Sequence, residues 1–280
     1  MEKREITEAN LRKFAQYLRS AEHSKGTVAK YLRDVQSFAQ WLENEPATKE
    51  NLASWKANLQ QNYAAVTVNS MLAAVHRFFK FMGWSELHVK YLHIQRRLFR
   101  ERSRELTRSE YDRLLQTAQN QGKTRLALLM ETICSTGIRV SEVQYITVEA
   151  AQNCKVEITL KGKIRTVLLP GKLCRKLLKY AGKKKIASGK IFLTESGKAL
   201  NRRQIWAELK RLCKHAKVEE SKVFPHNLRH LFATVFYKAC KDIAKLADLL
   251  GHSSIETTRI YLLTSSEEHA RQLNKLGLVT

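Results

Sequence analysis

A histidine and a tyrosine stand nine positions apart in LLGHSSIETTRIY (249–261), and a second basic cluster, PHNLRH (225–230), lies just upstream. A tyrosine hydroxyl is a weak nucleophile at neutral pH, because its ordinary pKa is about 10. It becomes useful where cations stabilise the phenolate and the charge that grows on its target. The candidate cations are Arg229, His226 and His252, with Arg139 and Lys161 further upstream. That set points to attack by Tyr261 on a phosphodiester. Cutting such an ester needs fixed positive donors, a group to take the nucleophile's proton and an acid for the leaving oxygen. Metal ions often supply the first of these. No cluster of Asp and Glu of metal-site type lies near the candidates, so cationic side chains must substitute, and no metal or other cofactor is expected.

The elements that must position these groups can be read from local pattern. Arg139 lies in STGIRVSEV, after an apolar helix (126–133) and a break at Thr136-Gly137. Its guanidinium fork suits bidentate contact with phosphate oxygens, and Glu142, one turn on, is placed to orient it. Pro225 heads another helix, on which the i, i+3 spacing puts His226 and Arg229 on one face near an anion-favouring N-terminus. His230 faces elsewhere and reads as structural. Ile243, Leu246, Leu249 and Leu250 follow at helical spacing and are broken by Gly251. His252 then sits in a turn and Tyr261 on the next helix. Taken singly, Arg139 reads as a surface residue and Tyr261 as a half-buried core residue.

A hairpin precedes the second cluster. Val156, Ile158 and Leu160 alternate with Glu157, Thr159 and Lys161, Gly162 supplies a turn, and Arg165 to Leu169 form the return strand, ended by Pro170. Between Lys155 and Lys190 there are twelve Lys and Arg against one acid, so a basic surface surrounds the hairpin tip.

Bulk properties agree with a polyanionic partner. The 280 residues suffice for two domains, and 44% hydrophobic residues mark a globular chain. Fifty Lys and Arg against 26 Asp and Glu give a formal charge of +24, and nucleic acid is the commonest partner of such a surplus. No apolar run approaches the ~20 residues of a membrane span, and the N-terminus lacks the apolar core of a secretory signal. The five cysteines (134, 154, 174, 213 and 240) contain no C-x-x-C pair, so zinc and a disulfide framework are not expected. A reduced, cytoplasmic protein follows as the expectation.

The first 95 residues read as a helical domain. Thr27-Val28, Leu32, Val35, Phe38 and Trp41 recur forty residues later as Thr67-Val68, Leu72, Val75, Phe78 and Phe81. Each set is one stripe of an amphipathic helix, with the threonine placed as N-cap. Lys25, Lys30 and Arg33 flank the first stripe, and Arg77 and Lys80 the second; such residues would contact phosphates, although a solvated face looks the same. Residues 96–105 form an arginine-rich linker with Arg96, Arg97 and Arg100. Thr107 and Glu110 then make a capping box, with Leu106 and Tyr111 as its hydrophobic staple, and a second domain (106–280) begins.

Taken together, these segments resemble the tyrosine recombinase (phage integrase) family over most of the chain. TGIRVSEV resembles the family's first-arginine box, HNLRHLFAT its HxxR box and LLGHSSIETTRIY its LGH-to-tyrosine box. TVAKYLRDVQSFAQWL is similar to the family's helical, SAM-like core-binding domain. The size and spacing resemble compact Xer-like recombinases and small mobile-element integrases.

The resemblance implies a mainly α fold with a small β-hairpin, built from an N-terminal SAM-like domain and a mixed α/β catalytic domain. It implies that Arg139 and Arg229 clamp the scissile phosphate, His226 assists proton transfer at the nucleophile and His252 donates a hydrogen bond to the phosphate. Lys161 would protonate the departing 5′-oxygen. Here the tip, TLKGKIRTV, is shorter than the family's loop, and Lys163 is a rival for that role. Tyr261 would form a 3′-phosphotyrosyl bond that conserves energy without ATP.

Implied partners are double-stranded DNA sites and three further copies of the chain, as a tetramer on two duplexes joined through a four-way junction. Accessory proteins are possible partners, and a membrane is not. The location would be cytoplasmic, at the nucleoid. A tail (262–280) with Ala270, Leu273 and Leu276 on one stripe would pack into a neighbouring protomer or on its own domain. Two other classes compete: a DNA-binding protein without catalysis, which needs neither Tyr261 nor His252, and a type IB topoisomerase, which would relax any supercoiled plasmid.

Overall fold

The computed structural model describes residues 4–94, 104–160 and 163–261, with 271, 274 and 275, and at Leu160 and Lys163 the backbone only. The chain forms two compact units, Met1–Arg96 and Arg97–Thr280.

Among the described residues four helices build the first unit: α1 (Glu8–Ser20), α2 (Lys25–Leu42), α3 (Lys49–Asn62) and α4 (Ala65–Met82). The repeated stripes of α2 and α4 pack on each other, burying Val28, Val35 and Phe38 with Val68, Leu72, Val75 and Phe78. Phe14 of α1 meets Phe78 edge to face at 5.2 Å, and Trp55 of α3 closes on Phe38 at 5.0 Å, arrangements that suit the ring quadrupoles. The two threonines are not N-caps. Ser24 caps α2, accepting the Thr27 amide at 3.2 Å, and α4 starts after Ala64, so both threonines lie in the first turn. A hydroxyl three residues ahead of Thr27 reaches its free amide, so the helix begins earlier than the stripe.

On the polar faces, Lys25, Arg33 and Lys80 are exposed. Lys30 is engaged inside the unit, 2.6 Å from the buried Asp34 carboxylate and 2.6 Å from the Ser70 carbonyl of α4. Arg77 lies over the Tyr17 ring at 5.4 Å. Arg96, Arg97 and Arg100 lie outside the described residues.

The second unit runs α5 (Arg108–Asn120), α6 (Thr124–Thr136), a 3-10 turn (Val140–Tyr145), α7 (Val148–Gln152), β1 (Lys155–Leu160), β2 (Lys163–Leu168), α8 (Gly171–Lys183), α9 (Arg202–Ala216), α10 (Pro225–Cys240), α11 (Ile243–Leu250) and α12 (Ile255–Arg259). The fold is thus mainly α with one two-stranded antiparallel sheet among the described residues. α6 lies against α5, α8 and α10, which is why Leu126 to Met130 are buried all round its axis.

The strands pair from Lys155↔Leu168 to Leu160↔Lys163. The return strand therefore begins at Lys163, two residues before the alternation of the sequence suggests. Lys161 and Gly162, which join the strands, lie outside the described residues, as does the tail from 262 apart from three residues.

At the head of α5, Thr107 Oγ1 accepts the Glu110 amide at 3.2 Å while the Glu110 carboxylate accepts the Thr107 amide at 2.8 Å. Leu106 and Tyr111 are both buried in the adjoining core. Glu110 also pairs with Lys222 at 3.0 Å, so the cap ties α5 to the segment before α10. Replacing Thr107 by Ala removes the acceptor, and about 1 kcal/mol of stability should be lost. A lower urea midpoint for the second unit, followed by tryptophan fluorescence, checks this.

Candidate active site

α10 begins with Pro225 at its first position, where the missing N–H costs nothing, and one turn of helix carries His226 and Arg229 to the same wall. Arg229 is 3% exposed. It donates to the Gly137 carbonyl at 2.6 Å, to the Leu250 carbonyl at 2.7 Å and to His252 Nε2 at 3.0 Å. Both carbonyls end helices, so they carry the negative end of a helix dipole and lack intrahelical partners. Gly137 and Gly251 make those ends possible. Each has a positive φ, near +64° and +62°, and a Cβ at Gly137 would lie 2.5 Å from the Phe232 ring.

Arg139 stands at the start of the 3-10 turn and is clamped by Glu142. The carboxylate accepts the Arg139 amide at 2.8 Å through one oxygen and its guanidinium at 2.9 Å through the other. Arg139 also reaches the Gly251 carbonyl at 3.4 Å, leaving much of its fork open. Glu142 itself is 1% exposed and needs two cations. The second is Arg165 of β2, at 2.9 Å, which donates as well to the Leu250 carbonyl.

Tyr261 ends the turn after α12. Its ring is buried at 4% exposure among Ala233, Leu246 and Leu250. His252 stacks on it at 6.1 Å and 12°, and His230 meets it edge-on at 4.8 Å. His230 is therefore not turned away from the nucleophile candidate. It backs the ring, because one further residue round α10 still faces α12.

A cleft of about 970 Å³ is lined by Arg139, His226, Arg229, His252 and Tyr261, and also by Arg202, Arg203 and Trp206 of α9. Five of the six residues expected to act chemically thus share one cavity. The sixth, Lys161, lies outside the described residues. The sequence reading passed over Arg165, Arg202, Arg203 and Trp206. For Arg165 a signal existed: it shares strand parity with the buried Val167 and Leu169, whereas Ile164 and Leu168 point outward.

Electrostatics follow from burial and from the closeness of Arg139, Arg165 and Arg229 to one another. Burial, and then Arg139, lower Arg229 to about 10, against the opposing pull of the Tyr261 hydroxyl hydrogen-bonded to it. It stays a cation at neutral pH. Burial, then Arg229, Arg139 and Arg165, bring His252 down to about 4. Desolvation against the cleft wall, and then Arg229, lower His226 too. Both histidines are therefore mainly neutral at pH 7. Among the described residues no cluster of His, Cys, Asp or Glu could hold a metal ion, and no helix is long and apolar enough to cross a membrane.

Residues 104–268 match the phage integrase family, and residues 11–86 match the phage integrase N-terminal SAM-like domain. Tyrosine recombinase XerA of Pyrococcus furiosus is 27% identical over 277 residues, covering 96% of this chain and 94% of that protein. Tyrosine recombinase XerD of Bifidobacterium longum is 30% identical over 272 residues, covering 86% and 87%. Among solved structures, XerH recombinase bound to its difH substrate shares the fold with a TM-score of 0.72 at 19% identity, covering 98% of this chain and 85% of that one. A lambda integrase dimer bound to a core site gives 0.73 at 16%, covering 91% and 94%.

The lowered His252 makes stability depend on pH. Unfolded, its pKa returns to 6.5, so between about 4 and 6.5 the unfolded chain binds a proton that the folded chain refuses. Stability is then full above 6.5 and falls as pH drops towards 4, with His226 acting in the same direction. Urea midpoints at pH 7.5 and pH 5 should differ by less in His252→Gln than in the wild type.

Proposed function

The chain belongs to the phage integrase family and is a tyrosine recombinase, an enzyme that cuts and rejoins DNA at specific sites, and we propose that Tyr261 is its nucleophile. The observation that supports this assignment best is the sharing of one buried cation, Arg229, by the Tyr261 hydroxyl and by His252 at the wall of an open cleft. A guanidinium so placed receives the non-bridging oxygens of the phosphodiester attacked, where charge grows during reaction.

The proposed step is an in-line displacement. The Tyr261 oxygen attacks phosphorus and gives its proton to neutral His226, while the bond to the 5′-oxygen breaks. Lys161, with Lys163 as its rival, protonates that oxygen. Arg139 and Arg229 hold the phosphate and His252 donates to it. The 3′-phosphotyrosine keeps the energy of the broken ester, so the 5′-hydroxyl of another strand reverses the step without ATP.

Two such exchanges through a four-way junction recombine two duplexes bound by four protomers. Residues 1–95 would grip the core site, with Lys25 and Lys80 offering exposed cations, Arg33 exposed beside Asp34, and Lys30 and Arg77 partly engaged. Residues 96–105, with Arg96, Arg97 and Arg100, would track the backbone to the catalytic domain (106–280). The segment 262–280 would join neighbouring protomers. The setting would be the cytoplasm at the nucleoid, and the outcome integration, excision or resolution of a mobile element or replicon.

A library of nicked duplexes with a randomised core tests the assignment directly. Wild-type protein should form an SDS-resistant adduct with a subset of duplexes, Tyr261→Phe none, and Arg139→Ala an adduct about 10²–10³-fold more slowly. Absence of any adduct that depends on Tyr261 would sink the reading, and relaxation of plasmids of any sequence would instead indicate topoisomerase behaviour.

A further inference from the structure

Thr258 lies on α12 with none of its surface exposed. Its carbonyl accepts the Tyr261 amide at 3.0 Å, and its Oγ1 lies 2.8 Å from Nδ1 of His252. The other ring nitrogen, Nε2, is 3.0 Å from Arg229. A guanidinium has donors and no acceptor, so Arg229 donates and Nε2 carries no proton. The one proton of the neutral imidazole is therefore on Nδ1, given to the Thr258 oxygen. In this tautomer the nitrogen that faces Arg229 cannot donate to a phosphate oxygen. The resting geometry and the role assigned to His252 above are thus one proton apart.

We propose that Thr258 is a positioning residue that carries His252 between these two states by reversing its own hydrogen bond. When a phosphate oxygen engages Arg229, the guanidinium leaves Nε2. The imidazole releases the Nδ1 proton to water and takes one at Nε2, so its charge is unchanged. The Thr258 hydroxyl then turns and donates to Nδ1, and Nε2–H donates to the phosphate. A hydroxyl can serve both states because it holds one proton and two lone pairs. A carbonyl in its place would only accept and fix the resting tautomer, and an amide N–H would only donate and fix the other. The cost of reversal is small, since the heavy atoms stay where they are. Thr258 also contacts the Tyr261 backbone, so the histidine and the nucleophile are held by the same residue of a five-residue helix.

The inference rests on the assignment of Tyr261 and His252, and two readouts separate its failure from failure of that assignment. Thr258→Val keeps the volume and branching but loses the hydroxyl; Thr258→Ser keeps the hydroxyl. On a duplex recovered from the randomised library, Thr258→Val should form adduct roughly 10–100-fold more slowly than wild type, and Thr258→Ser within about threefold of it. Ring ¹⁵N spectra, assigned through His252→Gln, should show the His252 proton on Nδ1 in the free protein. It should move to Nε2 when Tyr261→Phe protein binds the recovered duplex. Equal rates for Thr258→Val and wild type, a serine variant as slow as the valine one, or a proton on Nε2 in the free protein would each overturn the proposal. If wild-type protein forms no adduct at all, the nucleophile assignment falls, while the free-protein spectrum still decides the tautomer.

Discussion

Arg229 has almost no water around it, and the catalytic unit is arranged around what takes the water's place. A buried cation without partners would cost several kcal/mol. Here the partners are the last carbonyls of α6 and α11, His252 and the Tyr261 hydroxyl. Each helix end needs a donor as much as Arg229 needs acceptors, so one side chain of α10 satisfies two other helices and fixes their spacing. The glycines at both ends follow from the same constraint. A Cβ at Gly251 would lie 2.5 Å from the Arg165 side chain, as one at Gly137 would from Phe232. Removing the guanidinium would therefore loosen the positions of Arg139, His252 and Tyr261 together, although none of the three is its neighbour in sequence.

Charge is deliberately unbalanced in this cluster. Arg139 and Arg165 share one buried carboxylate, Glu142, and Arg229 lies close to both arginines with no acid of its own among the described residues. Burial first, and then the neighbouring cations, keep both cleft histidines mainly neutral and lower the pKa values of Arg165 and Arg229. An arriving phosphodiester relieves that repulsion, so binding energy is released at the atoms where charge grows during reaction. Arg165 matters to this balance because it shares Glu142. Were Glu142 paired with Arg139 alone, more of the Arg139 charge would be spent within the protein and less offered to phosphate.

The motif residues were legible because their chemistry needs particular side chains at short spacing: Arg139 with Glu142, His226 with Arg229, His252 before Tyr261. The elements that carry them were legible from capping and periodicity, as at Thr107 and Pro225. Residues whose role depends on which face a short element presents were not. Arg165 lies on a strand whose apolar side chains Ile164 and Leu168 point outward, against the usual pattern. Arg202, Arg203 and Trp206 join the cleft through packing of α9 on α5, a contact between segments some ninety residues apart. The N-cap of α2 was misplaced for a local reason: two hydroxyls, Ser24 and Thr27, lie one turn apart, and only the backbone decides which is used.

Tyr261 illustrates how a residue can be both core and reagent. A helix of five residues such as α12 has little stability of its own, because nucleation costs more than so few hydrogen bonds return. Its position must come from tertiary contacts, which here are the ring of Tyr261 against Ala233, Leu246 and Leu250, and the rings of His230 and His252 on either side. The ring thus anchors the segment, while the hydroxyl alone meets the cleft through Arg229. Burial excludes water from the nucleophile, and the Arg229 cation beside it is also placed to receive the phosphate. Attack then requires no search by the tyrosine, since a phosphate bound to that guanidinium arrives next to the oxygen that will displace its ester.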